Sequence, residues 1–343
     1  MKKIYPLFLM MIFSTFIYAK TNISFGVSTK YTDNPYHLSS QDIDKFNDGN
    51  NAFSYIETKD DLIINSYFNV SGKLKFKNFK ISPFFSVHQH NFIENNLKST
   101  TSFKIGISKK YLDKLSMTYS YSYYPKIFVR KYIDHDGTGK YEDYQYDKQK
   151  YTMNGFYKIN GKNFILFDAS FAQLYYNKYF TEYDGNKLSG SLGFKHSFKP
   201  FYLKMKYSYI KFEGNDSILS PESYSGYVRD PQYESNIYSL KIQSKKIKKL
   251  FPKYLRIKAS ASFEQRYFTT DLYESLDPIH SGRKDKILNL GFGIEYNLLN
   301  NTNIFLDVTN TSRKVSATDE NLSNIKDYDL NGISLGFKYS FSL

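Results

Sequence analysis

The sequence predicts an all-β fold: an antiparallel up-and-down transmembrane β-barrel of about fourteen strands, with twelve or sixteen as the alternatives. Three observations predict it. Apolar and polar residues alternate over window after window of about ten residues, and a period of two sends successive side chains to opposite faces of a strand. The segments between those windows are alternately short and long. Aromatic residues are abundant (Tyr 34, Phe 30) beside Met 6, Trp 0 and Cys 0, and 41% hydrophobic residues coexist with a mean hydropathy of -0.53. Apolar content is therefore dispersed, as alternation requires, and no disulfide framework contributes.

The first 19 residues are the exception. Lys2 and Lys3 precede the apolar run Ile4 to Phe13, and Ile17-Tyr18-Ala19 supplies small-residue cleavage chemistry. This reads as a secretory signal peptide over 1–19, followed by one barrel domain over 20–343. An uncleaved anchor is the alternative, and the run is short for a helical span of about 20 residues. Beyond it no window approaches 18 consecutive apolar residues, which argues against transmembrane helices.

Fourteen windows alternate. In order they are Asn22 to Tyr31, Leu62 to Phe76, Phe79 to Phe92, Lys98 to Tyr111, Leu115 to Tyr124, Lys148 to Ile159 and Asn163 to Tyr176. Lys187 to Phe198, Phe201 to Phe212, Asn236 to Ser244, Tyr254 to Tyr267, Lys286 to Leu298, Asn303 to Arg313 and Tyr328 to Leu343 complete the series. Short turns fall at Lys77-Asn78, Asp113-Lys114, Asn160-Gly161-Lys162, Lys199-Pro200, Lys245 to Lys253 and Asn300 to Thr302. Between them lie the long polar stretches Thr32 to Asp61, Pro125 to Asp147, Asn177 to Asn186, Glu213 to Ser235, Phe268 to Asp285 and Lys314 to Asp327, with the shorter Ile93 to Leu97. Such alternation puts both chain ends on the short-turn side, the pattern of bacterial outer-membrane barrels.

A soluble β-sandwich also alternates, but its strands average about five or six residues. Ten residues at about 3.3 Å each, tilted by about 40°, rise roughly 25 Å, the height of a barrel's lipid-facing band. A sandwich also gives no reason to gather the long loops at one end.

With the apolar face toward lipid, the other face becomes the lumen wall. It carries Lys73, Lys75, Lys80, Lys104, Lys150, Lys158, Lys195, Lys204, Lys206, Lys241, Arg256, Lys258, Arg266, Arg313 and Lys338, joined by Lys126 and Arg130 if the fifth strand continues past Pro125. Against these stand Asp168, Glu264, Glu295 and Asp307, and much of the remainder is Ser, Thr or Gly. Losing Lys2 and Lys3 with the signal peptide lowers the formal charge only from +14 to +12. A cationic lining concentrates anions in a confined pore. Water-wetting of the wall, or pairing with carboxylates from inward-folded loops, is the blander use of the same lysines.

Other constellations carry less. Asp134, Asp136, Thr138 and Glu142 are spaced like the first part of an EF-hand loop, but Gln145 stands where a bidentate Glu is needed, so a solvated Asp/Gly turn competes with a Ca²⁺ site. No other cofactor is expected. His88 and His90 share a strand face without a third metal ligand in reach of sequence reasoning. Lys245, Lys246, Lys248 and Lys249 lack an accompanying aromatic platform, so no nucleic-acid partner is expected. None of the six histidines stands in a local motif with Ser or Asp, so a hydrolase built on the barrel finds no support, and no enzyme activity is expected.

The stretch SFGVSTKYTDNPYHLS (Ser24 to Ser39) resembles the first strand and loop of porin-like outer-membrane barrels of Gram-negative bacteria. The ending GFKYSFSL resembles the signal read by the barrel-assembly machinery, with Phe337, Tyr339, Phe341 and Leu343 on one face, although that signal usually ends in Phe. The resemblance covers the chain from residue 20 as architecture. It implies outer-membrane localisation, contact with lipid and lipopolysaccharide, escort by periplasmic chaperones and passive transport. The expectation is a channel or porin for small solutes with an anion-leaning lumen. The alternative is a structural or adhesive surface protein with a plugged barrel and partner-binding outer loops.

Overall fold

The computed structural model describes residues 20–75, 80–111, 113–133, 139–214, 230–245, 247, 254–299, 301–318 and 321–342. Fourteen strands form a closed barrel in which each strand hydrogen-bonds to its sequence neighbours and β1 closes on β14, all antiparallel. The first seven are β1 (Lys20–Thr32), β2 (Asp61–Lys75), β3 (Lys80–Phe92), β4 (Thr100–Tyr111), β5 (Leu115–Ile133), β6 (Tyr141–Lys158) and β7 (Asn163–Tyr176). The second seven are β8 (Gly185–Phe198), β9 (Phe201–Gly214), β10 (Tyr233–Ser244), β11 (Leu255–Phe268), β12 (Lys284–Leu299), β13 (Thr302–Ser316) and β14 (Tyr328–Ser342). This is the up-and-down barrel that the alternation implies. Among the described residues no helix is long and apolar enough to cross a membrane, a statement that says nothing against a barrel.

The register fixes which residues share a face. Across β8 to β10, Lys195 pairs with Lys204 and Lys204 with Lys241, while Leu192 pairs with Tyr207 and Tyr207 with Tyr238. The second row faces out: Leu192 is 63% exposed, and Leu188, Leu240, Leu290, Phe292, Ile333 and Leu335 are likewise exposed. A wall that turns large apolar side chains outward and rows such as Lys195–Lys204–Lys241 inward satisfies both lipid and water, and closure pairs the first strand with the last.

Two expectations are corrected. Pro125 to Asp147 is not mainly a loop, because β5 continues to Ile133 and β6 starts at Tyr141. Register shifts between Tyr124 and Ile127 and between Phe128 and Arg130 absorb the proline, with Lys126 in the left-handed region (φ 50°). At 19 residues, tilted like its neighbours, β5 rises about 48 Å and projects beyond a bilayer core. Thr32 to Asp61 is not simply a polar loop either. It contains helix α1 (Ser40–Asn47), started by a capping box in which the Ser39 hydroxyl accepts from the Asp42 N–H and the Asp42 carboxylate accepts from the Ser39 N–H. A second short helix, α2 (Asn321–Lys326), follows β13 and touches α1.

The one compact apolar cluster among the described residues lies at this long-loop end. Tyr36, Leu38 and Ile56 from the first loop pack on Phe128 of β5, with Ile43, Phe46, Phe53 and Tyr55 around them. The first loop therefore folds inward across the mouth.

Candidate pore lining and mouth

By register, every described residue expected to line the lumen lies on the inner face or in the bulge of β5. Lys73 and Lys75 are on β2, Lys80 on β3, Lys104 on β4, Lys150 and Lys158 on β6, and Lys195 on β8. Lys204 and Lys206 lie on β9, Lys241 on β10, Arg256, Lys258 and Arg266 on β11, Arg313 on β13 and Lys338 on β14 opposite Gly26. Lys126 sits in the bulge, its N–H donating to Asp147 at 2.8 Å.

The inner-wall carboxylates of β7, β11, β12 and β13 are all matched by cations. Asp168 takes Lys206 at 3.2 Å, Glu295 takes Arg256 at 2.7 Å, Asp307 takes Lys258 at 2.7 Å and Glu264 takes Arg266 at 2.8 Å. Asp285, fully buried, is gripped by Arg283 at 2.9 Å and Arg313 at 2.6 Å. The Lys258–Asp307 pair joins β11 to β13 over β12, and the residue beneath it is Gly293. A Cβ there would collide with both partners, so the glycine is required by close approach rather than by its backbone angles.

Lys104, Lys148, Lys150, Lys187, Lys195, Lys204 and Lys241 make no ion pair among the described residues. Several lie instead over inner aromatic rings: Lys104 over Phe84 (5.7 Å), Lys148 over Tyr124 (4.3 Å), Lys187 over Tyr233 (5.6 Å) and Lys195 over Tyr202 (4.5 Å). Such ring contacts hold the ammonium stems without cancelling their charge. Ser86, Ser120, Ser122, Ser189, Ser191, Ser260 and Ser262 face the same interior and keep it polar.

The folded first loop is anchored at three places. Arg130 donates to Asp42 (2.9 Å), the Tyr36 carbonyl (3.1 Å) and the His37 carbonyl (2.7 Å). Asn95, from the loop after β3, is fully buried; its side-chain oxygen accepts from the Glu57 N–H while its amide donates to the Thr58 carbonyl and the Asp61 carboxylate. On the β14 side, Asn34 donates to the Asp329 carbonyl at 3.2 Å, and His37 stacks on Tyr328 with centroids 4.7 Å apart. Enclosure and the nearby Lys98, Arg130, Arg313 and Lys30 lower the pKa of His37, and burial followed by Arg130 lowers that of Lys98 to about 8. Arg130 is thus engaged in holding the loop, and Arg266 and Arg313 are engaged with carboxylates near the same end.

An aromatic wall also faces the mouth. Tyr144 meets Tyr132 (5.3 Å), Tyr176 (4.9 Å), Phe180 (5.1 Å) and Tyr183 (5.1 Å). Across the mouth Tyr233, Phe212 and Phe268 continue it, with Arg266 over Tyr233 and Arg283 over Phe268. Sequence reasoning missed this wall because Tyr132 and Tyr144 lie where a loop was expected. The sequence carries no clean alternation there to signal it, since Ile127, Phe128 and Val129 are consecutive apolar residues and Arg130 and Lys131 consecutive basic ones.

Of the calcium-loop residues, Asp134, Asp136 and Thr138 lie outside the described residues, while Glu142 lies on β6 opposite Tyr132. No group of three or more His, Cys, Asp or Glu able to hold a metal occurs among the described residues. His88 faces the lumen stacked on Tyr67 (5.8 Å), and His90 bonds Asn65. Lys246, Lys248 and Lys249 lie outside the described residues. Phe337 and Tyr339 lie on the outer face against Phe25 (6.5 and 5.4 Å), and Phe341 adjoins Tyr339 (5.8 Å); Leu343 is outside the described residues.

No family model matches the sequence, and no curated protein matches it. Among solved structures, the chain is similar to an anion-selective porin from Comamonas acidovorans, at 10% identity over 94% of this chain and 99% of that one, with a TM-score of 0.48. It is also similar to the outer membrane channel DcaP of Acinetobacter baumannii, at 13% identity over 94% and 97%, with a TM-score of 0.49. OprD of Pseudomonas aeruginosa matches at 9% identity over 94% and 95%, with a TM-score of 0.40. The fold rests on the barrel's own strand order.

Proposed function

We propose that this protein is an outer-membrane channel for passive diffusion of small solutes, with a lumen that favours anions. The observation that carries the reading is the imbalance of the inner wall. Its strand carboxylates below the mouth are each spent on a cation, whereas Lys104, Lys148, Lys150, Lys187, Lys195, Lys204 and Lys241 keep uncompensated charge among the described residues. Uncompensated cations along a water-wetted path attract anions and repel cations. Exposed apolar residues on the outer face support residence in a bilayer, and the long-loop end is the outward one by analogy with barrels of this build. Lipopolysaccharide contact, periplasmic escort and assembly through the barrel machinery belong to the same reading.

The inward-folded first loop favours a second reading, a partly plugged barrel whose outer loops bind a surface partner. Single-channel recording in a planar bilayer under a KCl gradient separates the two. The channel reading expects conductance with a reversal potential on the anion side, moved toward the cation side by Lys150→Glu, Lys204→Glu and Lys241→Glu together. A cation-side reversal in the unaltered protein refutes anion preference, and no conductance favours the plugged form. A heat-modifiable shift in gel mobility reports the folded barrel in every variant.

A further inference from the structure

The mouth contains a cavity of about 410 Å³ that the passage of ions does not require. Five parts of the fold build it: the upper ends of β5 and of β6, the loop after β7, the loop after β11, and helix α2. Its wall is mainly apolar and ringed. Tyr132, Tyr144, Phe180 and Tyr183 stand edge to face around one side, with Ile133 and Ile279 beside them. A further flat ring entering the cavity could add an edge-to-face or offset contact to the rings that line it, since those are the geometries aromatic pairs prefer.

The charges of this cavity are unequal. Arg283 is committed to Asp285 and His280 to Asp277, so neither is free to bind a solute strongly. Lys326, at the end of α2, makes no ion pair among the described residues. Tyr132 beside it favours the charged ammonium, but burial and the guanidiniums of Arg130, Arg283 and Arg313 outweigh that contact and lower its pKa. A half-buried ammonium among three guanidiniums gains from an incoming anion.

We propose that this cavity is a capture site for monocarboxylates that carry one aromatic ring, with the carboxylate at Lys326 and the ring against Tyr144 and Tyr183. An apolar cavity with one or two polar anchors is the usual form of a small-molecule site, and about 300–1,000 Å³ is its usual size. A sugar acid fits less well, since its hydroxyls would be set against rings and isoleucines with few partners. The site deepens the anion-channel reading and rests on it: capture serves uptake only if the lumen carries anions.

The test uses the full-length protein in lipid nanodiscs, with benzoate as the probe, acetate, benzyl alcohol and glucuronate as controls, and empty nanodiscs for partitioning. Titration is followed by saturation-transfer NMR. Benzoate should bind at least about tenfold more tightly than each control, since the controls lack the ring, the charge or the apolar body. Lys326→Gln should weaken benzoate about tenfold, Lys326→Arg should restore most of it, and Tyr183→Leu should weaken benzoate while leaving acetate unchanged. Equal binding of benzoate and glucuronate, or benzoate binding indifferent to Lys326→Gln and Tyr183→Leu, overturns the site. The KCl reversal potential, recorded on the same preparations, reports the channel reading separately: a cation-side value refutes that reading, while Lys326-dependent benzoate binding still supports the site.

Discussion

Arg130→Ala should release the first loop from the mouth. The side chains of Arg130 and Asp42 are only 14% and 6% exposed, so their 2.9 Å ion pair is little screened. The same guanidinium also holds the carbonyls of Tyr36 and His37. Removing one partner of a buried pair costs about 3–5 kcal/mol. Asp42 keeps its capping contacts with Ser39, which places the loss near the lower end, about 3 kcal/mol. That changes the ratio of docked to undocked loop by roughly a hundredfold. The packing of Tyr36, Leu38 and Ile56 on Phe128 remains, so the loop should exchange between states rather than detach permanently. Two assays read this. Single-channel records should show added open time or a larger conductance step, and trypsin should cut more rapidly at Lys45, an exposed residue of α1. Arg130→Lys should be intermediate, because an ammonium keeps the charge but cannot fork between Asp42 and two carbonyls. Unchanged conductance together with unchanged cleavage at Lys45 would refute the assignment of Arg130 as the loop's anchor.

Asp307→Asn should release the charge of Lys258 and move the KCl reversal potential further to the anion side, whereas Lys258→Gln should move it less than Lys150→Gln, since Lys258 is already neutralised. Gly293→Leu should separate Lys258 from Asp307 and lower the thermal midpoint of the barrel by several degrees, as followed by the loss of the heat-modifiable gel form. Leu192→Arg, at the middle of β8 on the outer face, should cost about 2–4 kcal/mol in lipid and reduce assembled barrel in vesicles, while Ser191→Arg on the inner face should not. Acid should loosen the first loop: the depressed pKa of His37 means the docked state binds fewer protons than the free loop, so docking weakens as pH falls below the ordinary His range. Lys45 cleavage by an acid-tolerant protease should rise accordingly, and His37→Asn, which suits the positive φ of 54°, should abolish the dependence.

The strands were legible because each faces two solvents. Lys204 and Lys206 alternate with Leu203, Met205 and Tyr207, and no sandwich core would tolerate that row. The inner cations were legible for the same reason. What they pair with was less so. Asp285 looked like the end of a loop and is instead an inner-wall residue held by two arginines. The folded loop was hidden more deeply, since Tyr36, Leu38, Ile56 and Phe128 show no common period and meet only when β5 brings Phe128 to the mouth. Pro125 concealed that extension, because a proline inside a strand ordinarily marks its end and here marks a bulge.

Thirteen of the fourteen strand pairings in this barrel join neighbours in sequence, and one, β1 with β14, joins residues about 300 positions apart. Hairpins can form locally and early, while the distant pairing pays the largest loop-closure entropy and is the natural last step. The loop across the mouth begins at that seam: Asp33 accepts from the backbone and side chain of Asn331 at 2.7 and 2.8 Å, and Asn34 reaches Asp329. Its far side is fastened to Arg130 on β5. The same segment that crosses the mouth is therefore a clasp over the seam where the first and last strands meet, and loosening it should reveal itself first as slower completion of the cylinder.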